Sequence, residues 1–123
     1  MKRNKIKKTI RDFFQNKEDI VFVYLFGSFV DEEKFNDIDL ALYSKRKTDT
    51  IKLAFELEKL TGISFDIIDI KTAPDHLVHS ISKGEVIIDN DEDFRIDFIT
   101  TAWSRYLDFK YYRDRFLKEL NYE

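Results

Sequence analysis

Two aspartates one residue apart, Asp37 and Asp39, follow a Gly27-Ser28 pair after a short loop. These four residues carry the most specific chemistry in the chain. Side chains of a strand alternate between its faces, so Asp37 and Asp39 project together while Ile38 turns to the core. Gly27-Ser28 closes an apolar run, Val21 to Phe26, at a point where bare N–H groups and a hydroxyl can meet an anion. Two carboxylates beside a phosphate-sized turn suit a hard divalent cation and a nucleoside triphosphate. The combination predicts a Mg²⁺-dependent enzyme.

Phosphoryl transfer with two metal ions calls for a third carboxylate. Asp66 and Asp69 stand on the next apolar run and, being three apart, face opposite sides of a regular strand. Asp66 lies between Phe65 and Ile67 and shares its face with Ile68 and Ile70. An unpaired carboxylate in that apolar setting is costly without a cation. Asp66 is therefore expected to be the third ligand, and Asp69 a solvated residue at the strand end.

The elements that must position these residues are legible in the spacing. Ile6, Ile10, Phe13 and Phe14 mark an amphipathic helix over residues 4–16. Residues 20–26 are β-branched and aromatic on both faces, as in a central strand buried on two sides. Residues 29–36 form a turn or helical piece and 37–43 a second strand. Ile51, Ala54, Phe55 and Glu58 define a helix face over 49–60, stopped by Thr61-Gly62. Residues 63–70 make a third strand. Pro74 opens a helix carrying Leu77, Val78 and Ile81 up to Gly84, and Glu85 to Ile88 is a short fourth strand. From Phe94 to Leu120 nothing breaks a helix, which predicts one long helix or two in succession. Alternating helices and strands make the fold α/β (α+β), one mixed β-sheet flanked by helices, in a single domain over 1–123 with a C-terminal helical extension over 93–123.

Composition narrows the function classes. A net charge of −3 argues against nucleic acid as an obligatory partner. Without cysteine there is no disulfide, thiol nucleophile or Cys-ligated zinc. No apolar run approaches the roughly 20 residues of a membrane span, and none follows the basic start as a signal peptide would require. A cytoplasmic protein is expected.

Phe26-Gly27-Ser28, Asp37-Ile38-Asp39-Leu40 and Phe65-Asp66-Ile67-Ile68-Asp69-Ile70 together resemble the minimal nucleotidyltransferase domain of the DNA polymerase β-like superfamily. Ala73-Pro74, Leu77, Ile81, Gly84-Glu85-Val86-Ile87 and Tyr106-Leu107-Asp108-Phe109-Lys110 extend the likeness to small stand-alone prokaryotic members, many of them paired with a HEPN-domain toxin. The resemblance implies that Gly27 and Ser28 bind the triphosphate of ATP and that Asp37, Asp39 and Asp66 hold Mg²⁺, two ions in all. It implies transfer of AMP from ATP to a hydroxyl, in antitoxin members a toxin tyrosine. One departure stands out. Phe29-Val30-Asp31-Glu32 lacks the two arginines and the glycine that commonly open this loop, and the loop is shorter than in most members. That departure favours a second possibility, an antitoxin that neutralises its toxin by binding alone. A third is nucleotide transfer to a small hydroxylated molecule.

Other features have plainer explanations. His76 and His79 have helical spacing for zinc but no evident third ligand. Lys45-Arg46-Lys47 reads as a solvated loop. The acidic run Asp89 to Asp93 lacks the glycine and closing glutamate of an EF-hand loop. Trp103, Tyr106, Phe109, Tyr111, Tyr112 and Phe116 exceed what one core-facing helix needs and suggest a surface for homo- or hetero-oligomer formation.

Overall fold

The computed structural model of the chain describes residues 2–121. Met1 and residues 122–123, the ends of the expected domain and of its helical extension, lie outside the described residues.

Helix α1 (Arg3–Gln15) buries Ile6, Ile10 and Phe14 along one stripe. Strand β1 (Ile20–Phe26) is buried from Ile20 to Leu25, as its two-sided apolar sequence requires. A four-residue helix, α2 (Ser28–Asp31), follows Gly27, and β2 (Asp37–Ser44) returns antiparallel to β1. Helix α3 (Thr50–Thr61) begins at Asp49, whose carboxylate accepts from the Lys52 N–H. It ends at Gly62, which takes the left-handed conformation and donates its N–H to the Glu58 carbonyl at 2.7 Å. Strand β3 (Ser64–Asp69) then lies parallel to β2, so β2, α3 and β3 form one crossover unit. A 3₁₀ turn (Ile70–Thr72) leads to α4 (Asp75–Ile81), with Pro74 as the residue before its first turn and not within it. Strand β4 (Glu85–Asp89) pairs antiparallel with the other side of β1. The chain closes on one unbroken helix, α5 (Glu92–Asn121).

The sheet order is β3-β2-β1-β4, with one parallel and two antiparallel pairings, so it is mixed as expected. Two cores sandwich it. Ile6, Ile10, Phe14, Leu53 and Leu57 of α1 and α3 meet Val23, Leu25, Ile38, Leu40 and Leu42 on one face. On the other, Val78, Ile81, Ile99 and Ala102 of α4 and α5 meet Val21, Phe22, Tyr24 and Ala41.

Helix α3 corrects one expectation. Its buried residues are Leu53 and Leu57, whereas Ile51 and Phe55 are 70% and 61% exposed. The helix carries two apolar stripes, and the sheet takes the one that lets Leu57 bury completely. The acidic run Asp89 to Asp93 is structural: the Asp91 carboxylate accepts from the Phe94 N–H at the start of α5, and Asp89 pairs with Arg95. The C-terminal aromatics divide. Trp103 and Tyr106 pack on His79 of α4, while Phe109, Tyr111, Tyr112 and Phe116 are 59–65% exposed on a part of α5 that no other described residue covers.

Candidate functional site

Asp37 and Asp39 open β2, on the same sheet face, with Ile38 between them fully buried on the other. In the antiparallel pairing with β1, Asp39 stands opposite Phe26, the last strand residue before Gly27. In the parallel pairing with β3 it stands beside Asp66. Register partners in a sheet point to the same side, so three carboxylates share one face at one end of the sheet. Asp69, three residues on, accepts from the Lys71 N–H and starts the 3₁₀ turn.

Asp66 reaches this place by another route than burial. Its strand lies at the sheet edge, and Asp66 is exposed between the buried Phe65 and Ile67. The apolar mid-strand setting expected for it is absent, because neither α4 nor α5 covers this end of the face. Asp39 is the half-buried member. Its carboxyl is held above the ordinary carboxylate range by burial first, then by the negative charges of Asp66 and Asp37. Among the described residues no lysine, arginine or histidine forms an ion pair with any of the three.

Gly27 fits against this cluster because it has no side chain. Its φ of 79° favours glycine, and a Cβ there would lie 2.3 Å from Oδ2 of Asp39. The backbone thus passes directly over the carboxylate. Its carbonyl accepts from the Val30 and Asp31 N–H groups at 3.0 and 3.1 Å, bending the chain into α2. The first N–H groups of that turn have no carbonyl behind them within the helix. Ser28, Glu32, Lys34, Phe35, Asn36, Asp37 and Asp39 line a cleft of about 370 Å³. Of the loop residues in this lining, Lys34, Phe35 and Asn36 carry no motif in the sequence, although they sit between Gly27-Ser28 and Asp37.

The donor set suits a hard cation. All its atoms are carboxylate oxygens, one of them half-buried among like charges. Among the described residues no three such groups converge closely enough to enclose an ion. Mg²⁺ takes one or two carboxylates and completes its shell with water and substrate phosphate oxygens, so an open set fits this ion. The other candidates fall elsewhere. Lys45-Arg46-Lys47 lies past the opposite end of β2, with Arg46 paired to Asp19 at 3.8 Å. His76 is exposed, and His79 stacks on Trp103 at 4.1 Å with its pKa lowered by burial and by Lys83 and Lys110.

The sequence model of the family described as Polymerase beta, Nucleotidyltransferase matches residues 8–93, from α1 to the start of α5, and so spans the whole cluster. The chain belongs to this nucleotidyltransferase family. No curated protein sequence matches it. Solved structures do. One is a chain of the complex of tri-AMPylated Shewanella oneidensis HEPN toxin with MNT antitoxin, 21% identical, with a TM-score of 0.74 over 97% of this chain and 98% of that one. A second belongs to the toxin–antitoxin MntA-HepT, 20% identical, with a TM-score of 0.72 over 95% and 97%. A third, from a toxin–antitoxin structure with AMP-PNP, is 25% identical, with a TM-score of 0.71 over 98% of both chains. These likenesses extend through α5, which the family match barely enters. Among the described residues, no helix of the nucleotidyltransferase is long and apolar enough to cross a membrane.

Proposed function

We propose that the chain is a Mg²⁺-dependent protein adenylyltransferase that transfers AMP from ATP to a tyrosine hydroxyl of a HEPN-type toxin and thereby acts as its antitoxin. The observation that carries the chemistry is Asp39, half-buried between Asp37 and Asp66 under the bare backbone of Gly27. Among the described residues no cation pairs with this charge, which is the electrostatic signature of a site completed by a ligand.

Asp37, Asp39 and Asp66 would hold Mg²⁺, which supplies charge neutralisation for the triphosphate and acidifies the acceptor hydroxyl. Gly27 and Ser28 present N–H groups and a hydroxyl to the phosphates, and Lys34 adds a positive charge at the rim of the cleft. The acceptor oxygen forms a bond to the α-phosphorus, the bond from that phosphorus to the bridging oxygen breaks, and pyrophosphate leaves. Asp66, exposed on the edge strand, takes the acceptor proton. Catalysis here is mainly alignment and electrostatics.

The exposed half of α5 is the surface we assign to the toxin. Phe109, Tyr112, Phe116 and Leu120 recur at helical spacing and remain 55–65% exposed. The same stripe favours a second reading, neutralisation by binding alone, because it is independent of the carboxylates. Labelled ATP, Mg²⁺ and a HEPN toxin separate the two. Adenylylation of a toxin tyrosine that disappears with Asp39→Asn supports transfer. A stable unlabelled complex that still protects cells when Asp37 and Asp39 are replaced supports binding alone.

A further inference from the structure

We propose that Arg3, on the first turn of α1, is a positioning residue for the nucleotide cleft, locking the Ser28–Asn36 wall into its binding shape. The inference rests on the nucleotide-transfer reading of that cleft and deepens it. A four-residue helix such as α2 cannot hold itself, since it ends before nucleation is repaid. The residues after it, Glu32, Glu33, Lys34 and Asn36, are exposed and bury nothing that would fix them. Arg3 fixes them from behind. Its guanidinium donates to the Phe29 carbonyl and to the carbonyls of Glu32 and Glu33 at 2.5 and 2.6 Å. Three of its five donors thus meet the end of α2 and the start of the loop.

The same guanidinium lies 4.8 Å from the ring centres of both Phe29 and Phe35, which meet edge to face at 4.6 Å. Phe29 belongs to the core, at 1% exposure, and Phe35 lines the cleft beside Ser28, Lys34 and Asn36. Arg3 therefore ties one side of the cleft to a helix anchored by Ile6, Ile10 and Phe14. No arginine stands in the loop itself, where Asp31, Glu32 and Glu33 leave it acidic. The cation that orders it comes from outside, 26 to 30 residues away in sequence. A lysine would not replace it, because an ammonium cannot span three carbonyls and lie flat between two rings.

Amide hydrogen exchange in the free chain and calorimetric binding of Mg·AMP-PNP test the assignment. If the wall occupies its binding shape about a tenth of the time without Arg3, the Kd of Arg3→Ala rises roughly tenfold. Exchange at Val30, Asp31 and Glu32 should quicken by a similar factor while β1 and β2 stay protected, and bound Mg·AMP-PNP should restore slow exchange. Arg3→Lys should recover part of both effects, and Lys5→Ala should show neither. Phe35→Leu, which removes one ring from the stack, should move both readouts in the same direction and covers the case in which Arg3→Ala fails to fold. Wild-type exchange and wild-type Kd in Arg3→Ala and Phe35→Leu would overturn the proposal. Failure of the wild-type chain to bind Mg·AMP-PNP would instead overturn the transferase reading, with exchange in the free chain still deciding whether Arg3 orders the wall.

Discussion

The two ends of the sheet treat charge in opposite ways. At the end where β1 finishes and β2 begins, Asp37, Asp39 and Asp66 stand together with no cation from the described chain paired to them. At the other end Asp89, Asp19 and Asp69 each have a partner. Asp89 bonds the Arg95 guanidinium at 2.9 Å, and Arg95 also donates to the Tyr24 hydroxyl at 2.9 Å. Asp19 faces Arg46, and Asp69 takes a backbone N–H. A fold that satisfies its own polar groups at one end and leaves repulsion at the other has placed its unmet electrostatic demand where a ligand can answer it.

The contrast can be broken most severely at the carboxylates. Asp37→Asn, Asp39→Asn or Asp66→Asn should each lower AMP transfer by about 10³-fold or more, measured as labelled toxin per unit time, with the fold unchanged by circular dichroism. Near-normal turnover in Asp66→Asn would remove it from the site. Gly27→Ala should both abolish nucleotide binding and cost about 1–3 kcal/mol in denaturant unfolding, since the methyl meets Asp39 on a backbone at positive φ. At the opposite end Arg95→Ala should cost about 1–3 kcal/mol in the same assay and leave the Kd for Mg·AMP-PNP unchanged. Equal effects of these two substitutions on binding would erase the distinction between the ends.

Smaller effects sharpen it. The Asp39 carboxyl titrates above the usual value of 3.8, so the folded chain binds its proton more readily than the unfolded one. Ionisation of Asp39 therefore subtracts stability as pH rises through its folded pKa. Asp39→Asn should raise the melting temperature of the free protein at neutral pH while destroying activity. Mg²⁺ should stabilise the wild type more than this variant. On acidification the proton competes with the cation, and Mg²⁺ binding should fail at a higher pH than at an ordinary exposed carboxylate pair.

Much of the site could be read before any coordinates, and for a physical reason. Strand alternation is local, so Asp37 and Asp39 declare a shared face in three residues. That Asp66 and not Asp69 faces Asp37 and Asp39 agrees with the register, yet its expected burial does not, because edge position and helix coverage are long-range facts that no window of sequence holds. The buried face of α3 is hidden from the sequence on the same account: Ile51 and Phe55 have as good a period as Leu53 and Leu57, and only the sheet chooses. Arg3 gave no signal, since its partners lie a crossing of β1 away. The continuity of α5 was legible in its lack of breakers, but where it leaves the body was not.

The parallel neighbour relation between Asp39 and Asp66 makes the protein sensitive to the alignment of one edge strand. A slip of β3 by a single residue along β2 would turn Asp66 onto the face that α1 and α3 cover and offer Phe65 or Ile67 to the acidic end, silencing transfer without touching a ligand. Burial of Phe65 and Ile67 against α3 forbids that slip. A residue inserted within β3 ahead of Asp66 is thus far more damaging than one inserted in the loop before the strand.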